Sequence, residues 1–396
     1  MADIFISHKT ALDLFFLAQD RGEMNVLHRM RRPEGDPLRK GKMAGDMIGN
    51  AEGADNAKDD GVMTEVTLEG FATGLRWERD IDLGFLGPVH TGPIDILVAS
   101  QKNSHANKDV RHHIWAGPIP AGGYLRLGEH VYVSSPEFVL LQMAAKLDKY
   151  QTLQLAMQLC GTYALLRTAK HGMIKHPQLT SKKKLEQFAR MIEGRRAGIG
   201  NFRWAIRYVI DGAASPTEAG TALMLSMPAL SGGYGLRAFK LNVEKKYDEV
   251  EREITRGKRK CFVDLLDEES RFGWEYQGKE GHSDAENGEQ YERDDGRAVG
   301  GGDGDSGVTL SYGAESLESD TLKLAALKHM EYDVRQLVWG QIKTVAAFDQ
   351  VALTTAEKFE AEVEGAYAFS KNEKLHVRRL ALHQGVIVQR YYWQDV

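Results

Sequence analysis

Residues 261–282 read "CFVDLLDEESRFGWEYQGKEGH", two apolar runs joined by a polar reversal, and this segment restricts most strongly what the chain can become. β-branched and aromatic residues on both sides of a short polar break fold as two strands of a hairpin. Side chains two apart on a strand share a face. Glu275, Gln277 and Lys279 are therefore expected on one side, with Trp274 and Tyr276 on the other. The tight reversal "DEESR" brings Asp264 of the first strand toward Glu275 of the second. A hairpin that only filled a core would need neither carboxylate.

The rest of the chain gives that hairpin its setting. At 396 residues there is length for two or three domains, each with its own core. A formal charge of −5 argues against attraction of the whole protein to DNA, so any nucleic-acid contact must come from local basic patches. Cys160 and Cys261 are the only cysteines. They provide no cysteine-based zinc motif, and a reducing cytoplasm is the expected compartment. The N-terminal segment lacks a basic lead-in and a cleavage pattern, and no long apolar run occurs, so neither a secretory signal nor a membrane span is expected.

Residues 7–19 read as a helix with Ser7 as its cap and Ala11, Leu12, Phe15 and Phe16 as one apolar stripe. After a Gly- and Asp-rich loop, strand-like pieces recur: "TEVTLEG", "PIDILVAS", "HHIWAGPI" and "HVYVS". "SSPEFVLLQMAAKL" opens a helix with Ser135 as cap, Pro136 in the first turn and Glu137 at the positive end of the dipole. Helical texture then continues through "LQLAMQLCGTYALL", "SKKKLEQFARMIEG" and "RWAIRYVIDG", with Gly194 and Gly212 as stops. This predicts an α+β N-terminal domain over residues 1–200.

An α/β domain with a central mixed sheet flanked by helices is predicted for residues 201–375, followed by an extension over 376–396. Its first helix is "SPTEAGTALMLSMP". Residues 283–316 are acidic, rich in glycine and poor in apolar side chains, and they read as a disordered insertion. "SDTLKLAALKHMEYDV" is predicted helical, "RQLVWGQI" a strand and "TTAEKFEAEVEGAYAF" an amphipathic helix.

Two carboxylates held together repel unless a cation lies between them, and such oxygen ligands suit Mg²⁺ or Mn²⁺. A metal there would polarise a phosphodiester and acidify a bound water. Asp264 and Glu275 are thus the candidate metal ligands. Arg256, Lys258, Arg259 and Lys260, in "RGKRKC", are candidates for phosphate neutralisation or an ordinary solvated turn. His112 and His113, as strand neighbours, face opposite sides and do not make a metal pair. His8 reads as a helix-end residue and Cys160 as core. "RRAGIGN" lacks the spacing of a dinucleotide site, "GGYG" lacks the end of a P-loop, and no nucleophile elbow occurs.

The order of these pieces from Ser215 to Phe359 resembles the very-short-patch-repair-type endonuclease domains of the PD-(D/E)XK superfamily. Glu218 lies where that family places an acidic residue on its first helix, and Asp264 in "FVDLL" where it has a metal-binding Asp. "WEYQG" stands where it often reads Glu, any residue, Asp, Gly, and His282 follows as a His commonly does. Asp320 and Lys323 match an Asp, two residues, Arg pattern on the helix before the last strand. Gln277 replaces the usual acid or Lys, Lys323 replaces Arg, and Glu331 stands where Gly is usual. The resemblance implies a restriction-endonuclease-like fold and a catalytic set of Asp264, Glu275, Gln277, Lys279, His282 and Glu218. It also implies DNA as partner and Mg²⁺ or Mn²⁺ as cofactor. "ISHKTALDLFF", "HVYVSSPEFVLLQMA" and "LCGTYAL" resemble actinobacterial proteins related to AbiEi-type antitoxins, which implies phage defence and a toxin partner. The alternative is a catalytically inactive antitoxin or DNA-binding regulator on the same scaffold.

Overall fold

The computed structural model describes residues 3–20, 30–32, 83–87, 90–104, 108–169, 172–277, 307–360 and 373–395. The chain divides into one unit of residues 1–227 with 381–396, and a second of residues 228–380.

In the first unit a mixed sheet has the order β3-β2-β1-β5-β4, formed by β1 (Ile4–Ile6), β2 (Ile94–Val98), β3 (Val110–Ile114), β4 (Tyr124–Arg126) and β5 (Val131–Ser134). Helix α1 (His8–Asp20) follows β1, and the stripe of Ala11, Leu12, Phe15 and Phe16 is fully buried as its spacing requires. Ser135 caps α2 (Pro136–Ala144), its hydroxyl accepting the Phe138 N–H at 3.3 Å. All of α2 is buried, so its apolar residues form no stripe. α3 (Lys149–Cys160) starts from a capping box of Asp148 and Gln151.

The helical reading of "LQLAMQLCGTYALL" is corrected at Gly161. There the chain turns into a small antiparallel pair, β6 (Tyr163–Leu165) and β7 (Met173–Lys175). A Cβ at Gly161 would lie 2.5 Å from the Ala213 carbonyl oxygen, so glycine alone admits the neighbouring backbone there. α4 (Lys182–Met191), α5 (Ile199–Tyr208) and α6 (Pro216–Ser226) follow. The division falls after Met227 rather than at residue 200, which places α6 in the first unit. The last sixteen residues also return to it, because Trp393 is fully buried with its indole N–H on Asp13 at 2.7 Å.

The second unit is built on the sheet β11-β10-β9-β8, from β8 (Lys240–Lys246), β9 (Lys260–Asp267), β10 (Phe272–Gln277) and β11 (Asp333–Val338). β9 is antiparallel to both neighbours, and β10 runs parallel to β11. α7 (Glu249–Ile254) joins β8 to β9, and α8 (Gly307–His329) joins β10 to β11. Ala326 and Leu327 of α8 pack on Val263 and Leu266. After a helical turn, α9 (Trp339–Ile342), helix α10 (Val345–Lys358) covers the other face, where the Trp274 indole N–H donates to Thr355 at 3.0 Å. α11 (Glu373–His383) follows.

The chain is thus mixed α/β, with a mixed sheet between helices in the second unit. Two details differ from expectation. α8 begins at Gly307, inside the segment read as disordered, while residues 283–306 lie outside the described residues. "RQLVWGQI" is half strand and half helical turn. Both cysteines are free and buried. Among the described residues no helix is long and apolar enough to cross a membrane.

One buried ion pair locks the first unit. Arg32 Nη2 donates to both oxygens of Glu137, at 2.8 and 2.9 Å, and Thr180 adds a third bond. Burial alone would raise the Glu137 carboxyl, but Arg32 and Thr180 hold it below the usual range. Breaking a buried pair costs about 3–5 kcal/mol, so Glu137→Gln should lower unfolding stability by that order in urea titrations. Because the folded value is depressed, this contribution is complete above the ordinary Glu range. It should fade as pH falls below about 4, where the carboxyl takes up its proton.

Candidate functional site

The β9–β10 ladder pairs Phe272 with Asp267, Gly273 with Leu266 and Trp274 with Leu265. One step further would set Glu275 opposite Asp264, and there the backbone pairing lapses. Side chains take over: the Tyr276 N–H donates to Asp264 Oδ2 at 2.8 Å, and the Asp264 N–H points to Glu275 Oε2 at 3.4 Å. The strands part where the two carboxylates sit.

The other side of β9 breaks at the same level. β8 pairs Leu241 with Leu265 and Val243 with Val263, skipping Asn242, whose φ is +49°. Asn tolerates this left-handed conformation better than most residues. The kink resets the alternation of side chains, so that Val263 and Leu266 both reach the position where a Gly273 Cβ would stand. Asp264 lies between them, at the twist. Local sequence could not reveal this, because Val263 and Leu266 have opposite parity on an ideal strand.

From above, α8 supplies Lys323, whose ammonium pairs with Glu275 Oε1. Both side chains are largely buried, 17% and 14% exposed, so the pair has little water to screen it. Burial pushes the Glu275 carboxyl up, Lys323 opposes that shift, and Asp320 adds to it; the result stays above the usual range. Asp320 and Lys323 lie three residues apart and so on one side of the helix. The Asp, two residues, Lys spacing was the sequence signal for this contact, although only the tertiary structure shows that Lys323 bonds to Glu275.

Gln277 follows Glu275 by two residues, and among the described residues its buried Nε2 has no hydrogen-bond partner. An amide turned end for end presents its oxygen to the same space. Asp264 and Glu275 supply carboxylate oxygens, the chemistry Mg²⁺ or Mn²⁺ prefers, and Gln277 could add an amide oxygen only if it reached them. Among the described residues no group of three or more His, Cys, Asp or Glu forms a metal cluster. A cation would share Glu275 with Lys323 or displace it.

The other expected site residues are placed as follows. Glu218 belongs to the first unit, where its carboxylate accepts the Ala214 N–H at 3.0 Å and secures the start of α6. Lys279 and His282 lie outside the described residues. Arg256, Lys258, Arg259 and Lys260 are all exposed. Arg256 pairs with Glu318, Lys258 donates to Ser319 at 2.5 Å, and Lys260 pairs with Glu244 at 2.7 Å. Much of that patch is offset by acidic neighbours, and such exposed pairs contribute at most about 1 kcal/mol each.

Glu275→Gln keeps the shape of the side chain and removes a charge that burial disfavours. Raised in the folded state, the Glu275 carboxyl favours folding most at low pH, and that contribution is lost as pH rises above the ordinary Glu range of about 4.3. In urea titrations without metal, the Gln variant should lose this part of the pH dependence, and at pH 7, where it leaves the largely buried Lys323 ammonium without its counter-charge, it should fall below the wild type. Lys323→Met breaks the pair from the other side. It leaves Glu275 without its counter-charge, and should cost about 3–5 kcal/mol at pH 7, with partial recovery near pH 5.

Compared with family models, curated proteins and solved structures, the chain matches none.

Proposed function

We propose that the second unit is a metal-dependent DNA endonuclease-like domain of the PD-(D/E)XK type, hydrolysing phosphodiester bonds. The observation that carries this reading is the meeting of Asp264 and Glu275 where β9 and β10 part, with Lys323 on Glu275. The arrangement of a mixed sheet, an α8 helix ahead of the last strand, and Asp320 and Lys323 facing the site supports it.

In this reading Asp264 and Glu275 hold the metal, and Gln277 offers a neutral oxygen beside them. A bound Mg²⁺ or Mn²⁺ would polarise the phosphate and lower the pKa of a water. Lys323 neutralises Glu275 in the resting protein and, once a cation takes that role, is available to a phosphate oxygen. Lys279 and His282, just beyond β10, are proposed to orient water and to protonate the leaving oxygen. Phage defence in a cytoplasmic setting, with a toxin partner, rests on the N-terminal resemblance alone.

A second reading is a DNA-binding regulator without activity. It is favoured by Lys323, which occupies the place of a cation on Glu275, and by Gln277 where an acid or Lys is usual.

Supercoiled plasmid with Mg²⁺ or Mn²⁺ separates the two. The nuclease reading expects nicking by the wild type and a loss of about a hundredfold or more in Asp264→Asn and Glu275→Gln, the scale of removing one transition-state contact. It also expects metal to stabilise the wild type by about 2.7 kcal/mol at a hundred times its Kd, and not Glu275→Gln. A wild type that binds DNA but shows neither cleavage nor metal-induced stabilisation belongs to the regulator reading.

A further inference from the structure

The first unit contains a pocket of about 440 Å³ beside the end of β1, far larger than an ion and within the range of small-molecule sites. One wall is apolar, with Leu97, Ile114, Trp115 and Leu141. The other carries His8, His113, Arg195 and Arg196, and no carboxylate is among the described lining residues. In a chain of net charge −5, a pocket whose only charged lining groups are cationic favours anions.

The polar wall is held rigidly. His8 begins α1 at φ +48°, a left-handed conformation uncommon for any residue but glycine. It is kept there by its N–H on Gln142 Oε1 at 3.1 Å and by Ser7 Oγ against its ring Nδ1 at 3.0 Å. Its ring stacks on that of His113, with centroids 3.6 Å apart and planes at 18°. Behind them the buried Asp95 meets His113 Nε2 at 2.7 Å and accepts from the Thr10 N–H and hydroxyl at 3.3 Å. Arg111 comes within 3.6 Å of Asp95. Arg196 lies over the Trp115 ring at 4.6 Å and donates to the Ala116 carbonyl at 2.8 Å, so its guanidinium is fixed at the rim.

Burial raises the Asp95 carboxyl, but the His113 bond and charge, with Arg111 and Lys146, bring it below the usual range. Burial first, and then His113, Lys146 and Arg111, push His8 well below the usual imidazole value. The positive groups around the stacked rings are thus in excess over the one carboxylate that meets them. A second negative group entering the pocket would relieve that excess.

We propose that this pocket binds a small organic phosphate of nucleotide size, its phosphate held by Arg195, Arg196 and the His8–His113 pair and its body against Trp115, Ile114 and Leu97. Arginine forks match phosphate oxygens in pairs, and Arg195 and Arg196 together offer two such forks at the rim. The site is independent of the nuclease reading, since none of its residues lies in the second unit.

The phosphate could come from a free nucleotide or from the 5′ end of a nucleic-acid strand. Calorimetry of the full chain with thymidine 5′-monophosphate, thymidine, and a short oligonucleotide with and without a 5′-phosphate distinguishes them. Binding should need the phosphate in both pairs, with a Kd of about 1 mM or tighter for the preferred source. The tighter of the two phosphorylated probes names the source. Arg195→Gln, at an exposed residue, and Arg195→Gln with Arg196→Gln should weaken binding, the double variant by about tenfold or more. Lys183→Gln, an equal charge change elsewhere on the unit, should not. Ring C–H resonances of His8 and His113 should shift on titration with inorganic phosphate and with the nucleotide. Equal binding of thymidine, indifference to both arginine substitutions, or unmoved histidine resonances would each overturn the proposal.

Discussion

The ion pair between Lys323 and Glu275 fixes how the second unit is put together. Glu275 is drawn out of water on the central strand of a sheet, and a carboxylate there is tolerated only with a positive partner. That partner comes from α8, so the pair sets which way the helix lies along the strands. Ala326 and Leu327, one turn on, then fall onto Val263 and Leu266. The lapse in pairing at Asp264, the kink at Asn242 and the bare face of Gly273 all belong to the same level of the sheet. A region of sheet that gives up ladder bonds for side-chain bonds is less stable than its neighbours, and such places are where binding chemistry is commonly held.

The first unit solves a similar problem twice. Arg32 neutralises Glu137 against a helix buried on every side, and the surroundings there are complete, with all three carboxylate contacts internal. Asp95 is also enclosed, but its partner His113 faces a pocket, and behind that ring stands a second imidazole in a strained backbone conformation. The difference between a closed network and one that opens on a cavity separates a structural pair from a candidate binding site.

Much of this was legible in the chain. Ser135, Pro136 and Glu137 announced α2, because capping depends on residues within one turn of each other. The stripe of α1 and the hairpin around "DEESR" were equally local. What failed was whatever depended on distant backbone. Gly161 ends α3 because the Ala213 carbonyl occupies the space of a Cβ. The C-terminal residues, read as an extension, return because Trp393 finds Asp13 near the other end of the chain. His8 does sit at a helix end as read, but its meeting with His113 stayed hidden, since 105 positions separate them and only the pairing of β1, β2 and β3 sets them side by side.

The sequence by itself determined α1, α2 and the hairpin with its two carboxylates, since each of these is governed by contacts between residues close along the chain. It could not determine which charges would share a burial site. Lys323 and Glu275 are 48 residues apart, and His113 and Asp95 are 18 apart on neighbouring strands. Their meeting depends on strand order and on where a helix lies across the sheet. Those are decided when all the apolar faces are buried together, and only then does a carboxylate acquire a partner, a shifted proton affinity and a chemical use.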